Sequence, residues 1–329
     1  MKVQITVRLY TITLSERVKG MDKQRIAEVL HYLPQSIGEL LNRLMSDEWI
    51  EIEEIRLRSN APLTVGVWGE SCFITNTGGI TNYESDAYKV TSEEVGTAFR
   101  KICENSVYAH MEEIRRGYIT IKGGHRVGIC GKAVCEEGRI KMFKEISSLN
   151  FRIAHQIIGL ADGIIDTIIN GNEVKSTLII SPPQMGKTTL LRDILRQVSD
   201  KGFKCGAADD RGELAAMYQG MPTNMVGAQT DIIDGAPKAE AVEMMLRTMS
   251  PKVIFSDEIA SDADVAALRV AAGTGVKIIA TTHGDCVEDV MSRKFLKPVF
   301  EDKIFSQAIL LRRDFSTPES VTYTKAVKL

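Results

Sequence analysis

The sequence is short of the features that would place it in several large protein classes. No two of its six cysteines, at positions 72, 103, 130, 135, 205 and 286, form a CxxC pair, so the commonest zinc and redox motifs are excluded. A chain of 329 residues buries enough apolar surface to fold without disulfides. His125 beside Cys130 and Cys135 is therefore read as part of an ordinary reduced interior rather than a metal site. No apolar run approaches the roughly 18 residues that a membrane helix needs. The formal net charge is only −2, which excludes a globally basic nucleic-acid binder. Arg8, Glu16 and Arg17 make the first twenty residues a poor signal peptide. Residues 1–20 read as an extension or upstream start before Met21, with no fold of their own. A cytosolic protein is expected.

What is present divides into two textures. From 21 to 150 helix and strand signals mix. Ile26, Val29, Leu30 and Leu33 recur at helical spacing, Pro34 ends that run, and Ile37, Leu40, Leu41 and Leu44 continue it in a second helix. Ile52–Leu57 and Leu63–Val67 read as strands, and Thr91 with Glu94 forms a capping box that opens a third helix. Tyr118–Ile121 and Arg126–Cys130 flank Gly123 and Gly124, a hairpin signature. A small N-terminal α+β domain is predicted, with Asn150–Leu160 as its linker. From 151 to 329 short apolar runs (Thr177–Ile180, Lys204–Ala208, Val253–Phe255, Lys277–Thr281) alternate with helical stretches. That is the pattern of buried parallel strands in an α/β sheet.

The chemistry gathers in this second half. Ser181, Pro182, Pro183, Gln184, Met185, Gly186, Lys187, Thr188 and Thr189 follow a predicted strand and open a helix over Leu190–Val198. In that context loop and helix N–H groups point at phosphates, the Lys187 ammonium meets the β/γ-phosphates of ATP, and the Thr188 hydroxyl holds Mg²⁺. The loop departs from the G-x-x-x-x-G-K-[ST] pattern at Ser181, where glycine is expected. About 70 residues after Lys187, a strand ends in Asp257 and Glu258. This is the arrangement of a Walker B segment, with Asp257 on the metal and Glu258 orienting or deprotonating water. Asp209, Asp210 and Glu213 follow a third strand, and His283 a fourth. Ligands of open α/β sheets bind beyond the carboxyl ends of the strands. Asp210, Glu213, His283 and Glu258 are thus the candidate catalytic groups, His283 as a γ-phosphate sensor.

These motifs, in this order, resemble the secretion-type ATPases of type II and type IV machines and pilus motors. Those proteins carry a phosphate loop, an Asp box, a Walker B segment and a His box. Met245–Ile259, Ala271–Gly275 and Thr281–His283 carry the likeness; Glu54–Arg58, Gly117–Thr120 and Gly123–Gly131 extend it into the N-terminal half. It spans about 21–325, and within the group the sporulation branch of endospore-forming bacteria is the most similar. The resemblance implies a RecA-like P-loop ATPase domain behind the α+β domain, ATP with Mg²⁺, and a homo-oligomer, expected as a hexamer. It also implies a site at the cytoplasmic face of a mother-cell membrane, a small integral membrane partner, and a secretion-like channel to the forespore. An arginine from the neighbouring subunit is expected to complete the site. Arg56, Arg58, Arg115, Arg116, Arg126 and Arg152 are the candidates, with Arg126 and Arg152 foremost. Asp209 and Asp210 stand where one Asp-box acid of the family is usually Glu, a reach about 1.5 Å shorter, and Ala260-Ser261 replace the usual residues after Glu258. A nucleic-acid-binding P-loop ATPase is the alternative; no basic tail or basic-aromatic stripe supports it, and no nucleic-acid partner is expected. A scaffold that binds ATP without hydrolysing it is disfavoured by Glu258.

Overall fold

The computed structural model describes residues 8–11, 25–45, 52–67, 70–104, 106–115, 117–136, 138–154, 156–183, 185–313 and 322–329. They cluster into two compact units. One holds the described residues of 16–156 together with 218–223; the other holds 157–217, 224–329 and the strand Arg8–Thr11.

The first unit is built on a seven-stranded antiparallel sheet. Its strand order is Ile80–Thr81, Glu70–Ile74, Thr64–Val67, Ile52–Arg58, Arg139–Arg152, His125–Glu136 and Tyr118–Ile121. Ile52, Ile55 and Leu57 are buried within Ile52–Arg58, and Val127 and Ile129 alternate with Arg126 and Gly128 on the neighbouring strand. Helices Gln35–Leu44 and Ser92–Ile102 supply Ile37, Leu41, Val95 and Ala98 to the same core. The predicted capping box is present: Thr91 Oγ1 accepts from Glu94 N–H at 3.2 Å, and the Glu94 carboxylate accepts from Thr91 N–H at 2.8 Å. Pro34 both ends the first run and starts the next helix as its N-cap, φ −57°, because its ring presets the entry angle and no N–H is needed there. The strand Arg139–Arg152 runs through the start of the expected linker. Leu149 and Phe151 are buried, while Asn150 and Arg152 point the other way, a period of two hidden by its polar members. His125 is a buried structural histidine: its Nδ1 accepts from Ala154 N–H at 3.0 Å and its Nε2 lies 3.4 Å from Glu28. Cys130 and Cys135 are exposed free thiols. The segment 218–223 joins this unit through the Tyr218 hydroxyl, which donates to Glu104, and through the Thr223 carbonyl, which accepts from Arg25 at 3.3 Å.

The second unit is a doubly wound sheet. We label its elements β1 (Thr177–Ser181), α1 (Lys187–Asp200), β2 (Cys205–Asp209), β3 (Thr230–Asp234), α2 (Lys238–Thr248), β4 (Val253–Ser256), α3 (Asp262–Gly273), β5 (Lys277–His283), β6 (Gln307–Arg313) and β7 (Thr322–Lys328). The order is Arg8–Thr11, β7, β6, β1, β5, β4, β2, β3. β6 through β3 are parallel; β7 and Arg8–Thr11 close one edge in antiparallel pairing. All five residues of β1 are buried. Leu178 and Ile180 enter one core with Ile254, Ile278, Ala280 and helices α2 and α3. Ile179 enters the other with Phe255, Ile279, Ile309 and helix α1. Each fully buried Leu or Ile contributes about 1.5–3 kcal/mol, so both faces of the strand hold it in register. The strand at 8–11 replaces the expectation that residues 1–20 have no fold. Leu9, Tyr10 and Thr11 favour extended backbone, and β7 offers an open edge to pair with.

Candidate functional site

Parallel pairing brings the carboxyl ends of β1, β5, β4 and β2 to one edge of the sheet. Ser181 on β1 lies opposite His283 on β5, and Ile259 N–H donates to Thr281 O at 2.8 Å, tying the segment after β4 to β5. Glu258 and His283 are thereby set side by side.

The loop after β1 ends at Gly186, whose φ of +82° and ψ of 21° place it in the left-handed region at the N-cap of α1. A side chain would strain that conformation, which is why glycine stands there. Ser181, where the motif expects glycine, is an ordinary strand residue and fully buried; its hydroxyl donates to the Pro182 carbonyl at 2.8 Å. Helix α1 has no side-chain cap and no acid in its first turn. Its leading N–H groups carry the positive end of the helix dipole. Met185 packs against the core beside α1, Pro182 and Thr189 are half-buried and Pro183 is exposed. Gln184 lies outside the described residues.

Six side chains gather in two contact sets at the head of this helix. Lys187 Nζ lies 3.1 Å from His283 Nε2 and 3.9 Å from Glu258 Oε2. His283 Nε2 is 3.3 Å from Glu258 Oε1. Thr188 Oγ1 donates to Asp257 at 3.3 Å, and Thr281 Oγ1 donates to the same carboxylate at 3.1 Å. Of the residues singled out by their sequence context, Lys187, Glu258 and His283 thus form one contact set, and Thr188 with Asp257 a second.

The Asp box departs from expectation. Asp209, not Asp210, turns inward. Its carboxylate is 1% exposed and accepts from the N–H groups of Glu213 (2.8 Å), Leu214 (3.1 Å) and Ala215 (2.8 Å). Burial pushes its pKa above the ordinary value, with Asp257 adding to the rise and the three N–H bonds opposing it. Asp210 is exposed and stands outside this set of contacts. Glu213 takes part through its backbone, its carbonyl accepting from Arg192. The physical reason is where the strand ends: all five residues of β2 are buried, Asp209 is the last of them, and the next residue faces solvent.

Three contributors went unassigned in the sequence. Thr281 supports Asp257. Lys238, 8% exposed, donates to the Glu258 carbonyl at 2.7 Å. Arg211 Nη1 lies 3.6 Å from Glu258 Oε2. A lysine directly after Pro237 and an arginine within the acidic Asp-box loop were the signals available. In the other unit, the Arg126 guanidinium lies over the Tyr118 ring at 5.3 Å and stands directly opposite Arg152 across the strand pair. Such a like-charge pair costs energy; Glu54, opposite Arg152, offsets it. Arg116 lies outside the described residues.

The residues present fit a nucleotide with Mg²⁺. The uncapped, acid-free helix start suits an anion, and a hydroxyl beside one carboxylate suits Mg²⁺, which keeps several waters and phosphate oxygens as ligands. No group of three or more His, Cys, Asp or Glu able to hold a metal is found among the described residues.

Strand, glycine-ended loop, helix and an acid-ended strand two places along the same parallel sheet define a RecA-like P-loop ATPase fold. Solved structures share it. The pilus retraction motor PilT with bound ADP aligns at a TM-score of 0.59 and 13% identity, over 88% of this chain and 82% of that one. The ATPase DotB of Legionella pneumophila aligns at 0.57 and 17%, over 89% and 80%. The chain belongs to the family described as sporulation stage III, protein AA, whose model matches residues 21–324. It is 37% identical over 292 residues to stage III sporulation protein AA of Bacillus subtilis strain 168, covering 87% of this chain and 91% of that protein.

Proposed function

We propose that the chain is a Mg²⁺-dependent ATP hydrolase that works as a secretion-type motor in sporulation. The observation that carries this reading is the contact set at the head of α1: Lys187, Glu258 and His283 on one side, Thr188, Asp257 and Thr281 on the other.

The loop N–H groups and Lys187 bind the β/γ-phosphates. Thr188 and Asp257 would hold Mg²⁺, which would supply charge neutralisation to the phosphates. Glu258 Oε1 orients the attacking water and takes its proton, as a general base must from within hydrogen-bond reach. His283 senses the γ-phosphate. Asp209 sets the backbone of the Asp-box loop, and Asp210 and Glu213 remain candidates for contact with the nucleotide or a neighbour. Arg126 and Arg152 are the candidate arginines supplied in trans within a homo-oligomeric ring, expected to be a hexamer.

No helix among the described residues is long and apolar enough to cross a membrane. The family name, together with the fold shared with the pilus retraction motor PilT and the ATPase DotB, supports work at a membrane through an integral partner, on a channel between mother cell and forespore. Glu258→Gln tests the assignment: ATP binding is kept and phosphate release is lost.

A further inference from the structure

Glu258 is held by more than the motif accounts for. Its Oε1 faces His283, and its Oε2 is shared between Lys187 at 3.9 Å and Arg211 at 3.6 Å. Lys187 belongs to the phosphates in the functional reading above, so once a nucleotide engages it, Arg211 remains as the cation on Oε2. Arg211 sits on the same chain's Asp-box loop. That loop is fastened at its base: Asp209 gathers the N–H groups of Glu213, Leu214 and Ala215, and the Asp209 carbonyl accepts from Gly235 N–H at 3.0 Å. The backbone that carries Arg211 is therefore fixed by a buried acid, while its side chain, 56% exposed, reaches over the Glu258 carboxylate. An ion pair this exposed adds little to folding stability; what it supplies at Glu258 is a cation held against Oε2.

We infer that Arg211 is a positioning residue for Glu258. Its guanidinium fixes Oε2 and thereby aims Oε1 at the attacking water, and Asp209 is the staple that puts Arg211 in reach. This deepens the hydrolase reading and rests on it. Lysine at this position has a compact point charge in place of a planar fork, so it restores the charge without the full orientation.

The test compares wild type, Arg211→Gln, Arg211→Lys, Glu258→Gln and the double variant Arg211→Gln/Glu258→Gln, all as the full chain. Misplacing a reacting group by about 1 Å costs on the order of 100-fold in rate. Arg211→Gln is expected to lower kcat roughly 10- to 100-fold with KM for ATP and ATP affinity within about twofold of wild type, and Arg211→Lys to recover part of the loss. The double variant should be no slower than Glu258→Gln alone, because the arginine acts through that carboxylate. Wild-type kcat in Arg211→Gln, or a loss expressed in KM alone, overturns the proposal. A further fall in the double variant overturns it as well, since it would show action on something other than Glu258. If Glu258→Gln itself hydrolyses normally, the hydrolase assignment fails first, and that outcome is read separately from the arginine series.

Discussion

Replacing Asp209 by alanine removes one acceptor group shared by three backbone donors, and the structure sets the scale of the loss. The Leu214 and Ala215 amides belong to residues with 0% exposure, so their N–H groups lose their acceptor where water enters poorly. A buried donor left unsatisfied costs about 1–3 kcal/mol. Two such donors place the gross cost at roughly 2–6 kcal/mol by the same figure. Against this, the substitution removes a carboxylate that burial and the nearby Asp257 make costly to ionise. We expect a net destabilisation of about 2–4 kcal/mol near neutral pH. The pH dependence has a definite sign. Because the folded pKa is raised above the ordinary 3.8, the stability supplied by Asp209 is complete below that value. It declines as pH rises through the folded value. The cost of Asp209→Ala is therefore larger at acid pH than at neutral pH. Urea denaturation followed by far-UV circular dichroism, with both proteins compared between pH 4 and pH 7.5, measures it. A cost below about 0.5 kcal/mol throughout, the range of an ordinary surface substitution, refutes the staple. A cost that grows with pH refutes the sign of the carboxylate's burial.

Thr281→Val removes the hydroxyl that donates to Asp257 at 3.1 Å while keeping the volume. It should raise the Mg²⁺ concentration needed for half-maximal ATP hydrolysis severalfold, and an unchanged Mg²⁺ titration contradicts the support given to Asp257. A ring whose sites borrow an arginine from the neighbour should show a turnover rate per chain that rises with protein concentration. A rate per chain independent of concentration across the assembly range counts against a shared site.

Much of this arrangement was legible before the fold was known, and the exceptions have identifiable causes. Lys187, Thr188, Asp257 and Glu258 are fixed by local context: Asp257 and Glu258 directly follow a continuous apolar run that reads as a buried strand, and Lys187 and Thr188 open the helix after the loop that follows another such run, so their convergence follows from parallel topology. Strand ends were read a residue or two short at β2, β4 and β5 because polar residues such as Asp209, Ser256 and His283 close them. That same blurring put weight on Asp210: from the text Asp-Asp-Arg alone, nothing distinguishes the last inward position of a strand from the first outward one. Lys238, Arg211 and Thr281 depend on contacts across some 20 to 50 residues of sequence, and a lysine at a helix start or an arginine in a loop ordinarily reads as solvated. The strand Arg139–Arg152 was lost for a different reason: bulges interrupt its register between Ile140 and Ser148, which breaks the alternation a strand is recognised by.

The central claim is that the carboxylate beside Lys187 and His283 hydrolyses ATP. Phosphate release by wild type and Glu258→Gln, measured in the same Mg²⁺-ATP solutions in which each is shown to bind nucleotide, tests it most directly. General-base assistance contributes about 10²- to 10⁴-fold, so the variant should bind ATP as wild type does and turn over at least about 100-fold more slowly. A variant that hydrolyses ATP at the wild-type rate, or a wild type that binds ATP and releases no phosphate in any assembly state, contradicts the account.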